Sequence, residues 1–219
     1  MVISLSIIFS YGCRFWSGTG TKPGSDLPVA EVQTNVPFET KVPETFQAEI
    51  VVSTYAGGKK MKRTYFIAKK GVKSIVVFDH GTENEKADLQ TDLSTSYLID
   101  RKRKVWKKRT RSGKKADDDE LRKFLTTKWL NEKIGAEFEN LGATDNLAKY
   151  RVRLAESEKT EVIIFIDENL NIPVKQEFYS IVDDQRVLSY SVKVENIKTD
   201  ADDKLFTLPE EYTEELKPS

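Results

Sequence analysis

Apolar and polar positions alternate in twos along most of this chain from Thr45 onward. Phe46, Ala48, Ile50 and Val52 are interleaved with Gln47, Glu49 and Ser53, the period of a strand with one buried face. Gly57-Gly58 follows as a hairpin turn, and Met61, Tyr65 and Ile67 continue on a second strand. Lys69-Lys70-Gly71 predicts another turn and Ser74 to Phe78 a third strand. Leu93 to Asp100 and Lys104 to Arg109 read as a hairpin, with Tyr97, Ile99, Val105 and Trp106 at its apolar positions. One segment breaks the pattern. Asp117-Asp118-Asp119 suit a helix start, Leu121, Phe124, Leu125 and Trp129 then recur at helical spacing, and Gly135 is a natural stop.

Strands resume with Tyr150, Val152 and Leu154 alternating with Arg151 and Arg153. Val162 to Ile166 is a continuous apolar run that suits a central strand. Asn169-Leu170-Asn171 turns into Ile172 to Ser180, Asp183-Asp184-Gln185 turns again, and Leu188, Tyr190, Val192 and Val194 form a further alternating strand. Asp200 to Phe206 reads as a short helical turn ending at Leu208-Pro209. The sum is roughly eight to eleven strands with one or two helices. That is an α+β fold, a large curled antiparallel sheet (a half-open β-barrel) with the helices packed on its concave side. Such a sheet, lidded by the Leu121/Phe124/Leu125/Trp129 stripe, would enclose an apolar hollow.

The first thirteen residues differ in kind. Val2, Ile3, Leu5, Ile7, Ile8 and Phe9 form an apolar run that closes on Ser10-Tyr11-Gly12-Cys13, and Cys13 is the single cysteine of the 219 residues. The run is too short to span a bilayer, which takes roughly 20 apolar residues, and suits the core of a secretory signal. It resembles a bacterial lipoprotein signal peptide, whose small residue before the cysteine is matched by Gly12. The resemblance implies lipidation at Cys13. The same residues would also serve as a buried first strand with Cys13 as a small hydrophobe. Ser17 to Asp26 carry no apolar periodicity, and Pro28, Pro37 and Pro43 prolong the irregular stretch, as a tether would. Three parts follow: a signal over 1–13, a flexible tether over 14–44 and one domain over 45–219.

Composition narrows the domain further. Hydrophobic residues make up 38% and charged residues 32%, which favours a sheet with one solvated face over a solid core. Lys plus Arg and Asp plus Glu balance at 35 each, so the molecule as a whole has no electrostatic bias toward nucleic acid.

The second half has a familiar succession. Tyr150-Arg151-Val152 is followed by Phe165-Ile166-Asp167-Glu168, then Ile172-Pro173-Val174-Lys175-Gln176-Glu177. The chain closes with Asp202-Asp203-Lys204-Leu205-Phe206 and Leu208-Pro209-Glu210-Glu211-Tyr212. This resembles the LolA/LolB-like superfamily of periplasmic lipoprotein-sorting and lipid-binding domains, over about Thr45 to Tyr212. The resemblance implies a half-barrel lidded by helices with a cavity for acyl chains, in a lipid-anchored protein on the periplasmic side of a bacterial membrane, the outer membrane first. Phe46, Ile50, Tyr65, Tyr97, Ile99, Phe124, Trp129 and Tyr190 are the candidates to line that cavity. They would equally fill an ordinary core.

Charge is concentrated at Arg101, Lys102, Arg103, Lys104, Lys107, Lys108 and Arg109, with Arg111, Lys114 and Lys115 beyond and Trp106 among them. Near a membrane such a hairpin attracts anionic headgroups or an anionic envelope partner. A solvated tip that keeps an edge strand from pairing reads the same way. Catalysis has little to build on. His80, the single histidine, sits in a turn without a nucleophile, and no metal-ligand cluster or phosphate loop is present. Asp183-Asp184 and Asp202-Asp203 lack the alternating acidic loop of a calcium site. The expectation is therefore a binding protein without cofactor or metal: acyl chains of a lipid or lipoprotein as ligand, or else an envelope sensor or assembly module using the basic hairpin. A hydrolase is the third and weakest reading.

Overall fold

The computed structural model describes residues 32–33, 35–110, 125–127, 129–130, 135–155 and 157–215. Their strands are β1 (Val32–Gln33), β2 (Thr45–Ala56), β3 (Lys59–Lys70), β4 (Lys73–Phe78), β5 (Lys86–Gln90), β6 (Thr95–Asp100), β7 (Val105–Thr110), β8 (Glu137–Thr144), β9 (Leu147–Leu154), β10 (Ser157–Asp167), β11 (Ile172–Val182), β12 (Gln185–Lys198) and β13 (Thr213–Glu214). All thirteen belong to one sheet, ordered β1-β8-β9-β10-β11-β12-β2-β3-β4-β5-β6-β7-β13. Neighbours pair antiparallel except β13, which lies parallel to β7. The chain thus folds as two meanders. The second meander, β8 to β12, is joined to the first through the β12–β2 pair, Val194 opposite Ile50 and Val192 opposite Val52.

The sheet is open, with β1 and β13 as its two ends, so no barrel closes. One expectation is corrected here. The fold is all-β instead of α+β with helices on a concave side: the described residues are mostly strand, and the helical ones among them are the 3-10 turn Asp203–Phe206, Leu125 and the Trp129–Leu130 turn. Most of the segment whose spacing predicts a helix, 117–134, lies outside the described residues. Its described part, Leu125–Thr127 with Trp129 and Leu130, lies on the sheet and turns through a Leu130 N–H to Thr127 C=O bond of 2.9 Å. Amphipathic spacing identifies a buried stripe, and its described residues Leu125 and Leu130 are buried while Trp129 is partly so.

Directly opposed residues of an antiparallel ladder share a face, so the registers show how apolar side chains are distributed. On one face a row runs Phe138, Val152, Val162, Phe178, Tyr190 from β8 to β12. The next row runs Tyr150, Ile164, Gln176, Val192, Val52. Val194, Ile50 and Tyr65 follow, then Ala48, Ile67 and Val76. This long face is apolar from β8 to β4. From β5 onward the apolar side switches. Leu89 opposes Ile75 and Tyr97, and Ala87 opposes Val77 and Ile99, on the other face. There they pack with Phe66, Ala68, Trp106 and the C-terminal residues Leu205, Phe206, Leu208 and Tyr212. The molecule therefore has two cores on opposite sides of one sheet.

Among the described residues, two segments cover the long face. Val42 and Leu125 pack on Phe46, Ile50 and Val192. Val36, Phe38, Trp129 and Leu130 pack on Phe138, Val152 and Ile164. Residues 35–43, inside the stretch expected as a tether, thus lie against the sheet, and Lys41 N–H bonds the Asn171 carbonyl at 2.9 Å. The expected signal over 1–13, with Cys13, lies outside the described residues.

Candidate functional site

The long face beneath its cover is the candidate site. Four of the cavity residues expected from sequence meet there. Phe46 and Ile50 are wholly buried, and Tyr65 and Tyr190 are half-buried at their margin. Burial, with Tyr65 close by, pushes the Tyr190 phenol above its ordinary range. Trp129 lies above the face, its ring 5.6 Å from Phe178, which in turn meets Tyr190 edge-on at 5.3 Å. Tyr97 and Ile99 are not part of this constellation. They sit on the opposite face with Trp106, under the C-terminal segment. Phe124 lies outside the described residues.

Two polar clasps hold the cover. Gln176 is 2% exposed in the middle of the apolar face, and its Oε1 accepts the Trp129 indole N–H at 3.2 Å. Thr40 Oγ1 accepts the Thr127 backbone N–H at 2.9 Å and lies 3.1 Å from the Thr127 hydroxyl, tying the two covering segments together. An unpaired amide at Gln176 would cost about 1–3 kcal/mol, so this bond orients the cover as well as attaching it. Neither clasp was foreseen. Gln176 stands in an ordinary polar stretch of β11, and no local pattern marks it as the one polar side chain of its row. Two cavities lined by described residues, about 370 and 390 Å³, open beside Arg153 and Glu161 and beside Glu49 and Phe66, residues of the other face.

The basic run is split by the fold. Arg101, Lys102, Arg103 and Lys104 form the β6–β7 turn, Lys107 and Arg109 point to one face and Lys108 to the other. Several of its charges are matched: Arg101 with Glu85 at 2.6 Å, Lys102 with Glu83 at 3.6 Å, Arg103 with Glu215 at 2.7 Å and Arg109 with Asp88 at 3.5 Å. Arg111, Lys114 and Lys115 lie outside the described residues. His80 is part of the same structural joint. Its Nδ1 lies 2.8 Å from Glu85 Oε1, and the Gly81 N–H also donates to that oxygen at 2.8 Å. Glu85 is buried, which by itself raises its pKa, but the Gly81 N–H and the Arg101 guanidinium outweigh that and hold it below the ordinary carboxylate value. This is a loop anchor with no nucleophile beside it. Among the described residues no group of three His, Cys, Asp or Glu side chains converges as metal ligands would, and no helix is long and apolar enough to cross a membrane.

No family model and no curated protein matches the chain. Solved structures do. It is similar to a LolA superfamily protein from Nitrosomonas europaea at 15% identity and a TM-score of 0.34, covering 77% of this chain and 92% of that one. A chain of the Pseudomonas aeruginosa MucA/MucB complex is similar at 12% identity and a TM-score of 0.44, with 77% and 56% covered. A domain described as outer membrane lipoprotein-sorting, from Vibrio parahaemolyticus, is similar at 10% identity and a TM-score of 0.31, with 76% and 91% covered. A LolA superfamily protein, of the family that the second half of the sequence resembles, is thus among the solved structures similar to this chain.

Proposed function

We propose that this chain is a non-enzymatic, lipid-anchored protein of the bacterial envelope that binds an acyl chain, from a lipid or a lipoprotein, on the long face of its sheet. The observation that carries the reading is the covered apolar face itself. It spans strands from both meanders, and the described residues that cover it are held by the Gln176–Trp129 and Thr40–Thr127 clasps. Displacing Trp129, Leu125 and Leu130 would expose a strip on which an acyl chain can lie. Each methylene moved from water onto it contributes about 0.8 kcal/mol. Gln176 and Thr40 would then act as latches, and no covalent step is involved.

The test is mass spectrometry of lipids extracted from the full chain purified from a bacterial envelope, beside two variants. A stoichiometric acyl lipid is expected in the parent and none in Ile50→Glu. Gln176→Leu, which frees Trp129 from its latch, is expected to take up an added fatty acid faster than the parent, followed through tryptophan fluorescence. A folded parent that carries no lipid and takes none up would refute the proposal.

A further inference from the structure

The pairing registers place several turns at one end of the sheet. The β2–β3 turn, the β4–β5 loop and the β6–β7 turn all lie there, because Ala56 opposes Lys59, Phe78 opposes Lys86 and Asp100 opposes Val105. Two hairpins project beyond their neighbours here, β11–β12, paired out to Val182–Gln185, and the basic β2–β3 hairpin. The β2–β3 hairpin stays paired up to Ala56–Lys59, whereas β4 joins β3 only from Phe66 and β12 leaves β2 at Thr54. Gly57 and Gly58 make the tight turn at its tip, with φ of 56° and 74°, values that suit the right-handed twist of an extended hairpin.

This hairpin carries Lys59, Lys60, Met61, Lys62 and Arg63, all exposed. Arg63 pairs with Asp79 at 3.4 Å. No carboxylate among the described residues is in ion-pair contact with Lys59, Lys60 or Lys62, and the same holds for Lys104, Lys107 and Lys108 of the second basic hairpin. The acids of the intervening loop are already taken: Asp79 by Arg63, Glu83 by Lys102 and Glu85 by Arg101. β3 and β6 are three strand spacings apart, about 14 Å, so the two groups of unmatched lysines form one broad cationic end. Met61 stands among them at 61% exposure, and the neighbouring β11–β12 hairpin exposes Val182 and Val187 at 53% and 49%. Asp183 and Asp184, at the tip of that hairpin, bound the positive surface on one side.

We infer that this end of the sheet is a docking surface for an anionic phospholipid membrane, with the β2–β3 hairpin as its main contact. The surface is broad, its unmatched charges are lysines instead of the arginine forks that grip single phosphates, and an exposed apolar side chain stands between them. Lysines near an anionic leaflet contribute about fivefold each in affinity. Attraction of this kind needs no ligand on the long face, so the inference stands apart from the acyl-binding proposal.

The experiment is sedimentation of the full chain, carrying Cys13→Ser throughout so that no anchor forms, with vesicles of phosphatidylcholine alone or with phosphatidylglycerol. Binding is expected only to the anionic vesicles, and it should weaken steeply with salt. Lys59→Gln/Lys60→Gln/Lys62→Gln should weaken it about a hundredfold. Lys69→Gln/Lys70→Gln/Lys73→Gln removes the same charge at the opposite end of the sheet and should change it less than threefold. All these side chains are on the surface, and unchanged circular dichroism confirms folding. Equal losses in the two triple variants, equal binding to neutral vesicles, or no binding to either vesicle would overturn the inference. Loss of acyl uptake without loss of sedimentation would count against the acyl proposal alone.

Discussion

Replacing Glu85 by glutamine should destabilise the protein by about 2–4 kcal/mol, and the figure can be worked from its contacts. The residue is 9% exposed. Oε1 accepts from Gly81 N–H and from His80 Nδ1, both at 2.8 Å, and Oε2 accepts from Arg101 Nη1 at 2.6 Å. Bonds to a charged acceptor contribute about 1.5–3 kcal/mol against about 0.5–1.5 for neutral ones, so weakening the two on Oε1 costs about 1 kcal/mol each. The amide nitrogen that replaces Oε2 faces the guanidinium donor to donor. Arg101 is partly exposed, so that lost pair is discounted to about 1 kcal/mol. Chemical denaturation at pH 7 measures the sum. The pH dependence adds a second constraint. A carboxyl whose folded pKa is depressed stabilises above its unfolded value, here 4.5, and loses that contribution as pH falls through the lower folded value. The gap between parent and Glu85→Gln should therefore shrink as pH drops below about 4.5. A variant within about 0.5 kcal/mol of the parent at pH 7, or a gap unchanged down to pH 3, would refute the reasoning.

Two further outcomes test the sheet. Ile164, wholly buried on the long face between Tyr150 and Gln176, should cost about 2–5 kcal/mol as Ile164→Ala in denaturant unfolding, and a cost under about 1 would mean the face is loosely filled. Asp92 Oδ1 accepts from Ser94 N–H, Ser94 Oγ and Thr95 N–H, each at 2.8 Å, and these bonds hold its carboxyl down to about 2. NMR titration should find that midpoint, with the turn's stabilisation present above the ordinary 3.8 and lost as pH falls toward 2; a midpoint near 3.8 would contradict the geometry.

Much of the sheet was legible along the chain. The Phe46-to-Val52 alternation and Gly57-Gly58 predict the β2–β3 hairpin that forms, and Val162–Ile166 is an interior strand, as its unbroken apolar run suggests. Asp203–Phe206 is the short turn expected there. Strands β5 and β8 escaped notice because each offers few large apolar residues: Ala87 and Leu89 in one, chiefly Phe138 in the other. Their burial comes from neighbours across the ladder. The expected Leu93 start of β6 is instead a turn, because Asp92 binds the backbone of Ser94 and Thr95 and delays the strand to Thr95. The basic side of the β2–β3 hairpin was overlooked for a similar reason: Lys59 to Arg63 becomes part of a charged end only when β3 is placed in one sheet with β6.

By itself, the sequence determined that this chain builds alternating strands with tight turns, and which side chains of each strand belong to an apolar side. A period of two is a local property of the pleat, set by backbone geometry. It could not determine which side of the sheet that is. Ile50 and Ile99 have the same alternation around them, yet one lies under Leu125 on the long face and the other under Phe206 on the opposite face. That choice depends on ladder registers and on which distant segment covers each surface. Those are contacts between residues far apart in the chain, and only the tertiary structure decides them.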